Sequence, residues 1–165
     1  MKRKLYTILM VLMIVMITTS PALARGAIKL SGVTFDLGSL IAKGFASGLG
    51  NTDVTVILDA SGIPAITCTN PGGNDVPGQS YPKVSATGQQ ALPGDDPLRK
   101  NCKAAFFTET DDPEFLSWEE AGCPNSNWVG RIDFIFWTDA LITVYDTNTG
   151  ELLASQAYTC TTTRY

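Results

Sequence analysis

The chain has 165 residues, 44% of them hydrophobic and 17% charged; 16 acidic side chains against 12 basic ones give a net charge of -4, and there is no histidine. The acidic balance argues against nucleic acid and anionic membrane surfaces, which need a positive patch to displace counterions. The missing imidazole excludes serine or cysteine nucleophiles activated by histidine, and histidine-bearing catalytic zinc sites.

The first element is a secretion signal. Lys2, Arg3 and Lys4 form a basic head and Leu5 to Ile17 an apolar run of 13 residues. Thr18 to Pro21 break the run, and Ala22-Leu23-Ala24 supplies the small residues of a cleavage site, so residues 1–24 are expected to be removed after Ala24. As a helix the run covers only about 20 Å, too short for a hydrocarbon core of roughly 30 Å. No cysteine follows the site to accept a lipid, and no later apolar stretch is long enough to span a membrane. The expected product is residues 25–165, a single domain of 141 residues in which the loss of three basic side chains takes the net charge to -7. Its expected location is secreted, outside the cell.

Nearly every later signal has period two. Strands are expected near Ala27 to Leu37, Leu40 to Ser47 and Asp53 to Ala60, with Ile63 to Thr69 as a hairpin partner of the last across Ser61-Gly62. Others follow at Lys83 to Leu92, Cys102 to Thr110, Trp128 to Trp137, Leu141 to Asp146 and Leu152 to Thr161. Arg131 to Trp137 is apolar on both faces apart from Asp133, as in a central strand covered on each side. Asp146 to Gly150 reads as the turn of the final hairpin, with Asn148 and Gly150 tolerating positive φ. The one helical candidate is a short turn: Asp112 and Pro113 can start it, Ser117 and Glu120 make a capping box, and Gly122 can end it. Eight or nine short antiparallel strands with almost no helix predict an all-β fold, an immunoglobulin-like sandwich.

Cys68, Cys102, Cys123 and Cys160 are spaced by 34, 21 and 37 residues, unlike the close pairs of zinc sites. In an exported chain they predict two disulfides. Three pairings are open; Cys68 with Cys123 and Cys102 with Cys160 is preferred, because Cys68 and Cys123 each sit beside a turn. Within residues 25–165, Arg99, Lys100 and Lys103 form the only basic cluster and read as a solvated strand or turn edge.

Two loops carry the candidate binding residues. Asn70 to Ser80 follows Cys68, and Asn125-Ser126-Asn127-Trp128 follows Cys123. If the two cysteines are joined, Asn74, Asp75, Asn125, Asn127 and Trp128 form a patch able to hold a sugar through amides and stacking, or a calcium ion through Asp75 and carbonyl oxygens. The competing reading gives these residues to turn geometry and Trp128 to the core. Asp111, Asp112, Glu114, Glu119 and Glu120 could supply an acid and a base for glycoside hydrolysis, or simply be solvated turn residues. No recognisable catalytic motif is present, and no metal or other cofactor is expected. The reading is a non-enzymatic binding or structural module, its partner a glycan or an envelope component, with a carbohydrate-binding domain or a carboxylate-dependent hydrolase as alternatives.

The segments Gly48 to Val56, Cys68 to Asn74 with Pro77-Gly78-Gln79, and Ala121 to Trp128 together resemble a group of exported bacterial proteins of unknown function with immunoglobulin-like sandwiches. The resemblance covers about Leu40 to Val144. It implies a bacterial source and supports a link between the Cys68 and Cys123 loops; it implies no activity, and Cys102 and Cys160 lie outside it.

Overall fold

The computed structural model describes residues 27–36 and 39–160, and the expected signal and its cleavage site lie outside them. Nine strands run through the described residues: β1 (Lys29–Asp36), β2 (Ile41–Ser47), β3 (Val54–Thr69), β4 (Asp75–Pro77), β5 (Val84–Leu92), β6 (Lys103–Glu109), β7 (Phe115–Leu116), β8 (Val129–Asp146) and β9 (Leu152–Thr159). All pairings are antiparallel. One sheet has the order β1-β2-β6; in the other, β3 and β8 pair along their whole lengths and exchange outer neighbours half-way. At one end they are flanked by β5 and β9, at the other by β4 and β7.

The core follows from the alternation. Val54, Val56, Leu58 and Ala60 of β3 and Ala140, Ile142 and Val144 of β8 turn inward, where they share one apolar cluster with Ala42 and Ala46 of β2 and Ala104 and Phe106 of β6. Each fully buried Val, Leu or Ile stabilises by roughly 1.5–3 kcal/mol against exposure. The sheets also meet along their margins. Asp111 N donates to Thr87 O beside β5 and β6, and Phe35 of β1 packs edge-on against Tyr158 of β9. A smaller cluster of Ile66, Cys68, Ala121 and Cys123, backed by Leu116 and Trp128, lies beneath the loops at the far end.

Three sequence expectations change. First, Asp53 to Ala60 and Ile63 to Thr69 are not a hairpin but one strand, and Trp128 to Trp137 runs on into Leu141 to Asp146 as β8. Gly62 is not at a turn. A Cβ there would lie 2.5 Å from Phe136 O and 2.7 Å from Ile135 Cγ2, so the glycine serves close approach of two long strands. Second, β8 is central but not covered on both faces, since Phe134 is 53% exposed. Third, there is one disulfide. Cys68 and Cys123 are joined, with Cα atoms 5.7 Å apart, while Cys102 and Cys160 are free thiols. Register explains the failure of the second bridge. Cys102 O accepts from Gly48 N and Leu49 N at the end of the molecule where Gly48 and Leu49 share a groove with Leu152, the first residue of β9. Cys160 is eight residues further along that strand, about 26 Å away, whereas a disulfide needs Cα atoms within about 7 Å.

The turn chemistry holds at its key points. Ser117 and Glu120 form a reciprocal capping box, with Ser117 N and Oγ donating to Glu120 Oε2 and Glu120 N donating to Ser117 Oγ, and Gly122 ends the turn at φ +65°. Asp112 and Pro113 do not open it, because Phe115 and Leu116 intervene as β7. In the last hairpin Gly150 takes φ +71°, and Asp146 Oδ1 accepts from Asn148 N and Thr149 N.

Candidate functional site

Two bulges determine which side chains share the outer face of the larger sheet. The register of β3 against β8 shifts between Ser61 and Gly62 and again between Ala65 and Ile66. Each shift puts one extra residue, Thr138 and Asp133 respectively, into β8. Arg131, Phe134, Phe136, Asp139 and Leu141 therefore stand opposite Thr67, Ala65, Ile63, Ser61 and Asp59, all on one face although strict alternation along β8 would divide them.

Across the four strands β5, β3, β8 and β9 this face carries two parallel rows. One is Thr87, Asp59, Leu141 and Ala157; the other is Ser85, Ser61, Asp139 and Thr159. Between them the row Ala86, Ala60, Ala140 and Tyr158 points its side chains inward and leaves its backbone as a floor. The result is an open trough of about 610 Å³ lined by all three rows. It crosses three interstrand spacings, roughly 14 Å.

Six of the eight side chains in the two rows carry a hydroxyl or a carboxylate, set among exposed apolar surface. Thr87 Oγ1 donates to Asp59 Oδ1 at 2.9 Å. Asp139 Oδ2 accepts from Lys83 Nζ at 2.9 Å and Thr138 Oγ1 at 2.7 Å, and those bonds, the lysine's first, hold its carboxyl below the usual aspartate range. Both ends of the Lys83–Asp139 pair are more than half exposed, so the ion pair adds little stability. Beside the Ser61–Asp139 row, about 7 Å along the strands, Ile63, Phe134 and Phe136 form an apolar shelf, with the two phenyl rings edge to face at 4.7 Å.

The loop patch is differently built. Asn74 and Asp75 lie at the β4 side of β3, and Trp128 precedes Val129, which pairs with Thr69, so the Cys68–Cys123 link brings both loops to one end of the sheet. Their polar groups are engaged locally. Asn74 N donates to Asn70 Oδ1, Asn127 N to Asn125 Oδ1, and Thr69 Oγ1 to Asp75 Oδ1. Trp128 packs on the smaller cluster rather than standing free as a platform. Among the described residues no group of three or more His, Cys, Asp and Glu side chains is placed to hold a metal ion.

The acidic stretch is split. Asp112 and Glu114 reach a groove of about 340 Å³ that Asp133 and Phe134 also line, while Glu120 is occupied by its capping box and lies below the usual glutamate range because of the Ser117 hydroxyl. Burial pushes the Asp112 carboxyl up, against the hydrogen bond from Thr110 Oγ1 at 2.6 Å.

No family model matches the sequence, and a search of curated proteins finds no match. Two solved structures resemble the fold weakly: a Bacteroides uniformis β-glucuronidase, at TM-score 0.31 and 14% identity, and a calcium-binding mutant of Bacteroides uniformis β-glucuronidase 2, at TM-score 0.22 and 13% identity. The alignments cover 79% and 80% of this chain but only 12% of each glucuronidase chain, so the likeness bears on neither fold nor activity.

The trough residues were hidden from sequence reasoning because the bulges in β8 carry no glycine or proline marker. A usable signal was Gly62 in the middle of β3, where a lone glycine within a strand pattern indicates a bulge or close approach.

Proposed function

We propose that this chain is an exported, non-enzymatic binding module, built as an immunoglobulin-like β-sandwich and belonging with the exported bacterial proteins its loop motifs resemble. The observation that carries the binding role is the trough, an open surface on the most extensively paired part of the larger sheet, whose polar groups present acceptors without a nucleophile and base set against each other. Two antiparallel sheets around a common core support the sandwich, and the Cys68–Cys123 bond suits an oxidising compartment.

The test is recovery of the native protein from the producing cell. The outer fraction should contain a chain beginning at Arg25 with one disulfide and two thiols, inert on a panel of glycosides and esters. Retention in the cytoplasm with all four cysteines reduced would overturn export.

A carboxylate-dependent hydrolase is the second reading, favoured by Asp112 raised by burial in a groove shared with Asp133. Turnover on that panel, abolished by Asp112→Asn, would establish it in place of the first.

A further inference from the structure

We propose that the trough and its apolar shelf bind a neutral oligosaccharide; this rests on the reading of the chain as a binding module. A sugar presents hydroxyl donors along its edge and apolar C–H groups on its faces, and this surface offers the counterpart of each. Among the described residues Asp59 Oδ2 has no hydrogen-bond partner, and Asp139, held by Lys83 and Thr138 on Oδ2 and by the Ser61 side chain, keeps an exposed carboxylate beside it. Carboxylates are the strongest acceptors a protein can offer to sugar hydroxyls, and here Asp59 is oriented by Thr87 and Asp139 by Lys83 and Thr138. For the C–H faces, Leu141 is 37% exposed between the two carboxylates, and Ile63 and Phe134 are exposed on the shelf. Rigid aromatic area costs little conformational entropy to use.

Charge selects among glycans. Two aspartates face one lysine across the trough, and the whole chain is acidic, so a uronate or sulfated polymer meets like charge where a neutral one meets only acceptors. Size selects against a folded partner. A trough about 14 Å long takes a few linked rings, whereas stable protein interfaces bury about 800 Å² on each partner.

The experiment is calorimetric titration of the mature, oxidised chain with chitohexaose, cellohexaose and mannohexaose, with oligogalacturonate as the charged control and gel filtration alongside. At least one neutral hexamer should bind, oligogalacturonate should not, and Asp59→Ala and Asp139→Ala should each weaken binding about tenfold or more. Phe107→Ala, on the outer face of the other sheet, should leave it unchanged. Circular dichroism confirms folding of the variants, and Asp59→Asn, which keeps one carbonyl acceptor, should lose less than Asp59→Ala. The idea is overturned if no neutral hexamer binds up to roughly 1 mM, if binding survives both alanine variants, or if the surface is instead filled by a second copy, seen as a dimer that Phe134→Ala dissolves. Capture of a purified envelope peptide without any saccharide binding would end this inference and leave the binding-module reading standing; turnover of a hexamer would end that reading itself.

Discussion

Removing the disulfide, as Cys68→Ala with Cys123→Ala, tests how the two clusters of the core are coupled. The bridge closes a separation of 55 residues, for which the chain-entropy estimate gives about 4 kcal/mol of stability at 25 °C. That loss should not be spread evenly. The bridge is the centre of the smaller cluster, which among the described residues has only Ile66 and Ala121 as its other buried apolar members, and the partly buried Leu116 is the one side chain that packs against both clusters. Hydrogen exchange should show early loss of protection at Gly78, Ser80 and Cys123 in wild-type numbering, whose amides donate to Ile66 O, Ala121 O and Trp118 O, with little change in β2 and β6. Urea melts should separate as well: fluorescence reports Trp118 and Trp128 beside the smaller cluster together with Trp137, which is fully buried in the main one, so its transition should precede that of circular dichroism. A fall in stability of less than about 1 kcal/mol, or uniform loss of exchange protection, would refute this division.

Gly62→Ala should destabilise by about 1–3 kcal/mol in a urea melt, since its Cβ must displace backbone at Phe136; a neutral result would mean that β3 and β8 are further apart there. Iodoacetamide on unreduced protein should modify exposed Cys102 quickly and half-buried Cys160 slowly, because burial first and Asp139 second push the Cys160 thiol up and cut its thiolate fraction; failure to modify either would mean that they are bridged after all. Asp112 titrates above the ordinary aspartate value of 3.8 in the fold, so the protonated form is favoured and its contribution is present below that value and lost as pH rises. Asp112→Asn should accordingly raise stability at about pH 7 and make no difference near pH 3. Asp139 has the opposite sign: its carboxyl is held down, its contribution is present above 3.8 and lost as pH falls, and the deficit of Asp139→Asn should close on acidification. Melts of the two variants from acid to neutral pH check both signs.

Strand positions were legible wherever one face is buried and the other wet, as in β2, β5 and β6, because a one-residue slip there would turn every apolar side chain to solvent. The Cys68–Cys123 link was legible for a related reason, since both cysteines stand beside turns at one end of a sheet. The two shortest strands were not. Asp75–Pro77 and Phe115–Leu116 exist because β3 and β8 run past the ends of β5 and β9 and leave edges to be covered, which no local pattern announces.

The outer face of β8 shows why period counting does not find the trough. Ile132, Phe134, Ile135, Phe136 and Trp137 fill both phases of an alternating pattern, and such a run reads as a strand buried on both sides. The extra residues at Asp133 and Thr138 rephase it instead: Ile135 and Trp137 go in, Phe134 and Phe136 go out, and Asp139 joins them beyond the second bulge. Apolar side chains that looked like core are thus exposed beside two carboxylates. Exposed rings gain little from folding beyond their contact with each other, so replacing Phe134 by a hydrophilic Thr should cost no more than the edge-to-face contact with Phe136, about 1 kcal/mol, while ligand binding falls. A large loss of stability from Phe134→Thr would instead assign the ring to packing, and with it the shelf.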